Sequence, residues 1–277
     1  MIQNSIRVLA VSVALLFSVS SSAQINNDVN QYMLYQPLVN FASASSYKEI
    51  SSALYYRNQW VGFEGAPINY ALQVALPLKN KNTTLGIRVI RDEIGVRRND
   101  IVSFNYAHKV RLSRGSYLSF SLSPKIGFLK EARTELTAAD ELDPLTQVNV
   151  QKNGLVNAEF GTYYYRNNFY FGGVLPNLLR NNIIGSNNVE TYFAFNKLEW
   201  FIHSGYQWEA RSKSNSKDYL NVSGLLKSDV GASLHGEFNL MYQINNKKIG
   251  LGVSYRTSKA VVGIVRLSMF NQLSLSY

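Results

Sequence analysis

The chain holds three histidines, and two of them stand at even spacing from a carboxylate: Glu199 with His203, and His235 with Glu237. On an extended strand, even spacing puts both side chains on one face. Such pairs could ligate a metal, but carboxylate and imidazole also satisfy one another by hydrogen bonding in a polar interior, and that is the expected use here. His203 and Ser204 are neighbours, so on a strand they point to opposite faces and cannot act as base and nucleophile together. No Gly-x-Ser-x-Gly elbow occurs anywhere. His108 falls near a strand end on the apolar parity, an interfacial rather than catalytic place. The acidic cluster Glu131, Glu135, Asp140, Glu141 and Asp143 lacks the glycine and the spacing of a calcium loop, and reads as a solvated loop. No enzyme, cofactor or metal is expected.

The elements that would carry these residues are strands. In YLSFSLSPKIGF, Leu118, Phe120, Leu122, Ile126 and Phe128 share one parity, while Ser119, Ser121, Ser123, Lys125 and Gly127 share the other. Period two separates the sets onto two faces. LGIRV around Arg88, IGLGVSYR ending at Arg256 and GLVNAEFGTYYYR around Glu159 repeat the pattern. A soluble sandwich hides its apolar face inside, and a membrane barrel turns it outward. The polar parity is rich in Gly and Ser and sparse in charge, which suits a crowded lumen better than a solvent-facing sheet. Strands of roughly ten residues match a tilted crossing of an outer membrane.

Thirteen strands are expected, at 51–60, 68–76, 83–92, 101–111, 117–129, 154–166, 168–175, 198–210, 218–226, 231–243, 248–257, 260–267 and 271–277. Ahead of them, residues 1–23 have the basic start, apolar run and small-residue end of a signal peptide, cleaved near Ala23. Residues 24–50 form a periplasmic or lumenal segment, and 51–277 the barrel. No later run approaches the roughly 20 apolar residues of a membrane helix, and the chain has no cysteine to lipidate. With the mature N-terminus in the periplasm, the long connections 130–153 and 176–197 lie outside and the Asn167-Asn168 turn lies inside. The stretch QWVGFEGAP, Gln59–Pro67, then also lies outside, and its Trp60 and Phe63 join the interfacial aromatic girdle against lipid.

The formal charge is +10, yet an exported chain without a basic run or nucleic-acid motif is not expected to bind nucleic acid. Part of the excess gathers at the inner turns: Lys79, Lys81, Arg114, Arg211, Lys213, Lys217, Lys247 and Lys248. This basic rim either docks an acidic periplasmic partner or anchors to anionic lipid by snorkelling. Arg57, Arg88, Lys125, Glu159, Glu199, His203, His235, Glu237 and Arg256 bring both signs into the lumen, where they could cross-link it.

QYMLYQPLVNFASAS (31–45), YYRNQWVGFEGAPINYALQVALPL (55–78), LGIRVIRDEIGV (85–96), FYFGGVLPNLL (169–179), LGVSYR (251–256) and KAVVGIV (259–265) resemble the PorP/SprF family of type IX secretion membrane proteins. The most specific of these is the turn carrying Arg57, Gln59, Trp60, Gly62, Phe63, Glu64, Gly65 and Pro67. The resemblance implies a Bacteroidota outer-membrane, up-and-down antiparallel β-barrel of about fourteen strands, an even count as such barrels have. It would serve type IX secretion and gliding, binding machine subunits or a cargo protein through the cargo's C-terminal sorting domain. The alternative is a passive channel or small-molecule transporter. The chain departs from the family's first motif at Gln36-Pro37 and at Phe41–Ser45. The family also continues past the strand matching NQLSLSY, so the closing strand is expected to be missing here, with residues 24–50 as the spare segment within the chain.

Overall fold

The structure is a computed structural model, and it describes residues 31–135, 148–179, 199–213, 216–228, 234–269 and 273–277, excluding the side chains of 211–213. The expected signal peptide, most of the acidic loop and most of the connection after residue 179 lie outside these residues. The thirteen strands are β1 (Ser51–Asn58), β2 (Ile68–Pro77), β3 (Thr83–Ile94), β4 (Arg97–Ser113), β5 (Ser116–Glu131), β6 (Val150–Arg166), β7 (Phe169–Leu175), β8 (Trp200–Lys213), β9 (Ser216–Ser228), β10 (His235–Ile244), β11 (Ile249–Arg256), β12 (Val261–Met269) and β13 (Leu273–Ser276). They form one up-and-down sheet in sequence order, so every expected strand is present. No described helix is long and apolar enough to cross a membrane.

Alternation builds the wall. On β5, Phe120, Leu122, Ile126 and Phe128 are exposed, while Ser119, Ser121 and Ser123 are buried. The register carries the same division across the sheet: Ile87 stands opposite Phe104, and Arg88 opposite Ser103. The exposed face is thus an apolar belt, and the buried one is polar and small.

Several strands outrun the lengths expected. β4 begins at Arg97 because Arg98 and Asp100 pair across the strands with Glu93 and Arg91. On the outward face of this extension Arg91 meets Asp100 at 2.6 Å and Arg98 meets it at 2.8 Å. Cross-strand ion pairs continue the ladder past the apolar positions that periodicity detects. The short turns are made by residues with left-handed backbones: Asn167 (φ 50°) between β6 and β7, and Asn245, Asn246 and Lys247 between β10 and β11.

Inside the wall lie residues 31–47. They hold two short 3₁₀ turns, Gln36–Leu38 and Phe41–Ser46. Their hydrogen-bond partners come from β1 (Ser51), β4 (Lys109), β9 (Ser223) and β13 (Ser276). A sheet whose first, middle and last strands all touch one segment must curl around it, which is barrel geometry. Among the described residues, β1 pairs only with β2 and β13 only with β12. Residues 31–50 contribute no strand to that gap; their 3₁₀ turns bond locally, as from the Asn40 amide to Gln36 O at 2.9 Å.

Candidate functional site

The site is the filled lumen. Asn40 caps the second 3₁₀ turn: its Oδ1 accepts from the Ala42 amide at 3.1 Å. That contact orients the amide, so Nδ2 is free to donate to Thr162 O at 2.9 Å and to His203 Nε2 at 2.9 Å. An amide nitrogen cannot accept, so His203 Nε2 is the acceptor and the ring proton sits on Nδ1. The run Phe41–Ser46, sequence FASASS, is small apart from its first residue and packs tightly. Phe41 is fully buried against Ala44, Ala75 and Ala107.

Glycines on the inward parity make the room. A Cβ at Gly86 would meet the Phe41 ring at 2.6 Å, and one at Gly161 would meet Asn40 Oδ1 at 2.6 Å. One at Gly172 would stand 2.7 Å from Asn40 Nδ2 and run into the His203 ring, and one at Gly205 would meet the Tyr170 ring at 2.6 Å. The glycine-rich polar face is the cradle of residues 31–47.

Further bonds hold the segment along its length. Tyr32, fully buried, donates to Ser223 Oγ at 3.3 Å and accepts from Asn239 Nδ2 at 3.0 Å. Tyr163 donates to Gln36 Oε1 at 2.6 Å. Lys109 Nζ donates to Ser45 O at 2.7 Å. Desolvation raises the Tyr32 and Tyr35 hydroxyls above the usual tyrosine range, so both stay neutral.

Arg88 supplies the one charged anchor on the segment's Leu38. Its Nη1 donates to Leu38 O at 3.0 Å, and its Nη2 pairs with Glu159 Oε2 at 2.6 Å, both side chains being 5% exposed. After β7, residues 176–179 continue alongside β6, where the Leu178 amide donates to Ala158 O at 2.9 Å. Lys125 Nζ donates to Pro176 O at 2.6 Å, Asn157 Nδ2 donates to Leu179 O, and Asn157 Oδ1 accepts from the Leu179 amide, both at 3.0 Å.

The other residues expected in the lumen have partners other than those their spacing suggests. Glu199 accepts from Asn177 rather than meeting His203. Glu237 pairs with Arg256 at 3.1 Å, directly opposite in register, and not with His235. Arg57 is half-buried on β1. Among the described residues no group of three or more His, Cys, Asp or Glu is placed to hold a metal. Glu131 is a correction: it ends β5, is buried, and binds Arg133 at 2.7 Å, because β5 runs farther than expected.

At the rim of short turns, Lys79, Lys81, Arg114 and Lys248 are exposed. Lys217 is on β9 and pairs with Glu209 at 2.9 Å. Lys247 turns inward over the Tyr219 ring, to which its Nζ stands at 4.8 Å, and burial lowers its pKa. Arg211 and Lys213 are on β8 rather than in a turn, since the strand outlasts its apolar positions.

At the opposite rim, the Gln59–Pro67 turn is rigid. Gln59 N bonds Pro67 O at 3.0 Å, and Gly95 N bonds Gly65 O at 2.9 Å. Trp60, Gly62 and Gly65 have positive φ. Glu64 is exposed and Pro67 buried. Trp60 is 65% and Phe63 74% exposed; neither is tucked onto the protein, as a soluble surface turn would require.

Sequence reasoning missed Asn40 and Phe41 as the centre of the site. The signal was the pairing of a small-residue run, FASASS, with glycines on the inward parity of several strands.

No curated protein matches the chain, and no solved structure does. The family model described as type IX secretion system membrane protein PorP/SprF matches residues 21–277. The chain belongs to the PorP/SprF family of type IX secretion system membrane proteins.

Proposed function

We propose that this protein is a non-enzymatic outer-membrane component of type IX secretion and gliding, a docking body rather than a conduit. It is exported by residues 1–23, keeps residues 24–50 as a lumen-filling segment, and crosses the membrane with 51–277. Its short-turn rim faces the periplasm and its long-loop rim faces the cell exterior. The observation that carries the reading is the filled lumen. Residues 31–47 are seated inside the wall, held by Thr162, His203 and Arg88, leaving the two rims as the surfaces for work. A channel or transporter would need that volume open. At the periplasmic rim, exposed Lys79, Lys81, Arg114 and Lys248 suit an acidic face of a machine subunit. The exterior rim, with the Trp60–Phe63 turn, is the place for cargo bearing a C-terminal sorting domain.

The test is gentle pull-down of the tagged protein from native outer membranes, with co-purifying proteins identified by mass spectrometry. Replacing Lys79, Lys81, Arg114 and Lys248 by glutamate is expected to remove the periplasmic partner and spare the fold. Recovery should also fall with salt, as the Debye length drops from about 10 Å at 0.1 M to about 3 Å at 1 M. A barrel recovered alone that conducts ions in planar bilayers would overturn the reading.

A further inference from the structure

Two cations, Lys247 and Arg266, stand together at the short-turn mouth of the lumen. Lys247 lies in the turn between β10 and β11, with its Nζ 4.8 Å from the centre of the Tyr219 ring and donating to Gln207 Oε1 at 3.1 Å. Arg266 lies on β12 opposite Gly250, and the Ser268 amide donates to Lys248 O at 2.7 Å, so this end of β12 is tied to the same turn. Its neighbours Val265 and Leu267 are exposed on the apolar face, which turns Arg266 to the lumen. Burial and then the charge of Arg266 lower the Lys247 pKa, and Arg266 also interacts electrostatically with Tyr47, the last residue of the seated segment.

Like charges drawn together in a half-buried place disfavour one another unless a counter-charge offsets them. The acids at this end are engaged elsewhere or exposed. Glu209 pairs with Lys217, Asp218 accepts from the Tyr242 hydroxyl and the Asn245 amide, and Glu49 is exposed. Among the described residues no carboxylate faces Lys247 or Arg266. Their donors are not used up either. Arg266 Nη2 donates to Ser274 Oγ at 3.1 Å while its Nε has no acceptor in the protein, and Gln207 takes only one of the three N–H groups of Lys247.

We propose that Lys247 and Arg266 form an anion site inside the mouth, and that its ligand is a carboxylate of an acidic polypeptide segment of the periplasmic partner. The pair supplies charge-assisted hydrogen bonds from two neighbouring side chains, and the face of Tyr219 holds the Lys247 ammonium in place. Exposed Lys79, Lys81, Arg114 and Lys248 surround the entrance. An acidic segment uses both sets: the exposed rim steers it, and the inner pair holds it. A lone small anion would use only the inner pair. With Tyr47 beside Arg266, the ligand meets the seated segment as well as the wall. The inference deepens the docking reading and rests on it for the partner's periplasmic place.

The probe is a fluorescein-labelled, C-terminally amidated hexaglutamate peptide. Its fluorescence anisotropy is followed with full-length protein in non-ionic detergent at low salt, and heat-modifiable gel mobility establishes that each variant is an intact barrel. The parent is expected to bind the peptide. Lys247→Gln with Arg266→Gln removes charge-assisted bonds and is expected to weaken binding at least about tenfold. Lys79→Gln with Lys81→Gln removes the same charge from exposed positions and is expected to weaken it about threefold or less. Equal losses in the two double variants, or no binding by the parent, would overturn the site. Displacement by inorganic phosphate at a lower concentration than by acetate would reassign the ligand to a phosphate and overturn the carboxylate. Pull-down is a separate readout: peptide bound through the inner pair with no partner recovered from membranes would sink the docking reading and leave the anion site standing.

Discussion

Replacing Asn40 with alanine removes three side-chain hydrogen bonds at once: the cap to Ala42, the bond to Thr162 O and the bond to His203 Nε2. At a net of about 1 kcal/mol each, the seated state of residues 31–47 loses about 3 kcal/mol. The wall does not lose its ladder, because none of the three is a strand–strand bond. The penalty therefore falls on the equilibrium between seated and unseated segment, which should shift roughly 100-fold, at 1.4 kcal/mol per tenfold. With Ser43→Cys as the single cysteine of the chain, at a fully shielded position of the segment, maleimide labelling in native outer membranes should accelerate by that factor while heat-modifiable gel mobility stays that of a folded barrel. Asn40→Asp sharpens the reasoning. It keeps the cap acceptor but turns a second oxygen toward Thr162 O, and His203 can meet it only by moving its ring proton to Nε2, so it should still label faster than the parent. Labelling within about twofold of the parent for either variant, in intact barrels, would refute the assignment of Asn40 as the principal anchor.

Gly161→Ala and Gly172→Ala should each unseat the segment without deleting any bond, because the new methyl would lie 2.6 Å and 2.7 Å from Asn40 atoms; Gly263→Ala, which meets nothing within 4 Å, is the matched control, and equal labelling of all three would remove the cradle argument. With Trp200 and Trp208 replaced by phenylalanine, the remaining Trp60 should be quenched by lipids brominated near the headgroup and not by those brominated at the chain end; quenching only by aqueous iodide would place that turn in water.

The wall was legible because its information is local. Period two, glycine–serine on one parity and turn residues such as Asn167-Asn168 place each strand within a few residues, and the sheet order then follows from short connections. The lumen was not legible, because its bonds join residues far apart in sequence. Asn40 reaches His203 across 163 positions and Asn239 reaches Tyr32 across 207. Residues 31–47 also lack any period: their 3₁₀ turns are set by Pro37 and by the Asn40 cap, not by a repeating apolar face. Parity assigned Glu199, His203, His235 and Glu237 to one face. It could not say that Asn40 would take His203 and that Arg256 would take Glu237, since parity fixes a face and not a partner.

The composition of that face follows from what it must enclose. A lumen lined by bulky apolar residues could be packed shut by its own side chains, and nothing would enter it. Glycine and serine leave the backbone close to the axis, where a second piece of chain fits only if its own side chains are small and its carbonyls find donors. Residues 41–46 supply the first condition, and Arg88 and Lys109 supply the second at Leu38 and Ser45. The long arms of Arg88 and Lys109 reach these carbonyls from the wall, and a buried Arg88 then needs Glu159. Such a pair adds little net stability, because desolvation offsets most of the attraction between the charges, whereas removing one partner leaves the other buried and unpaired. What the pair supplies is a single seating for a segment that has no strand ladder to define its register.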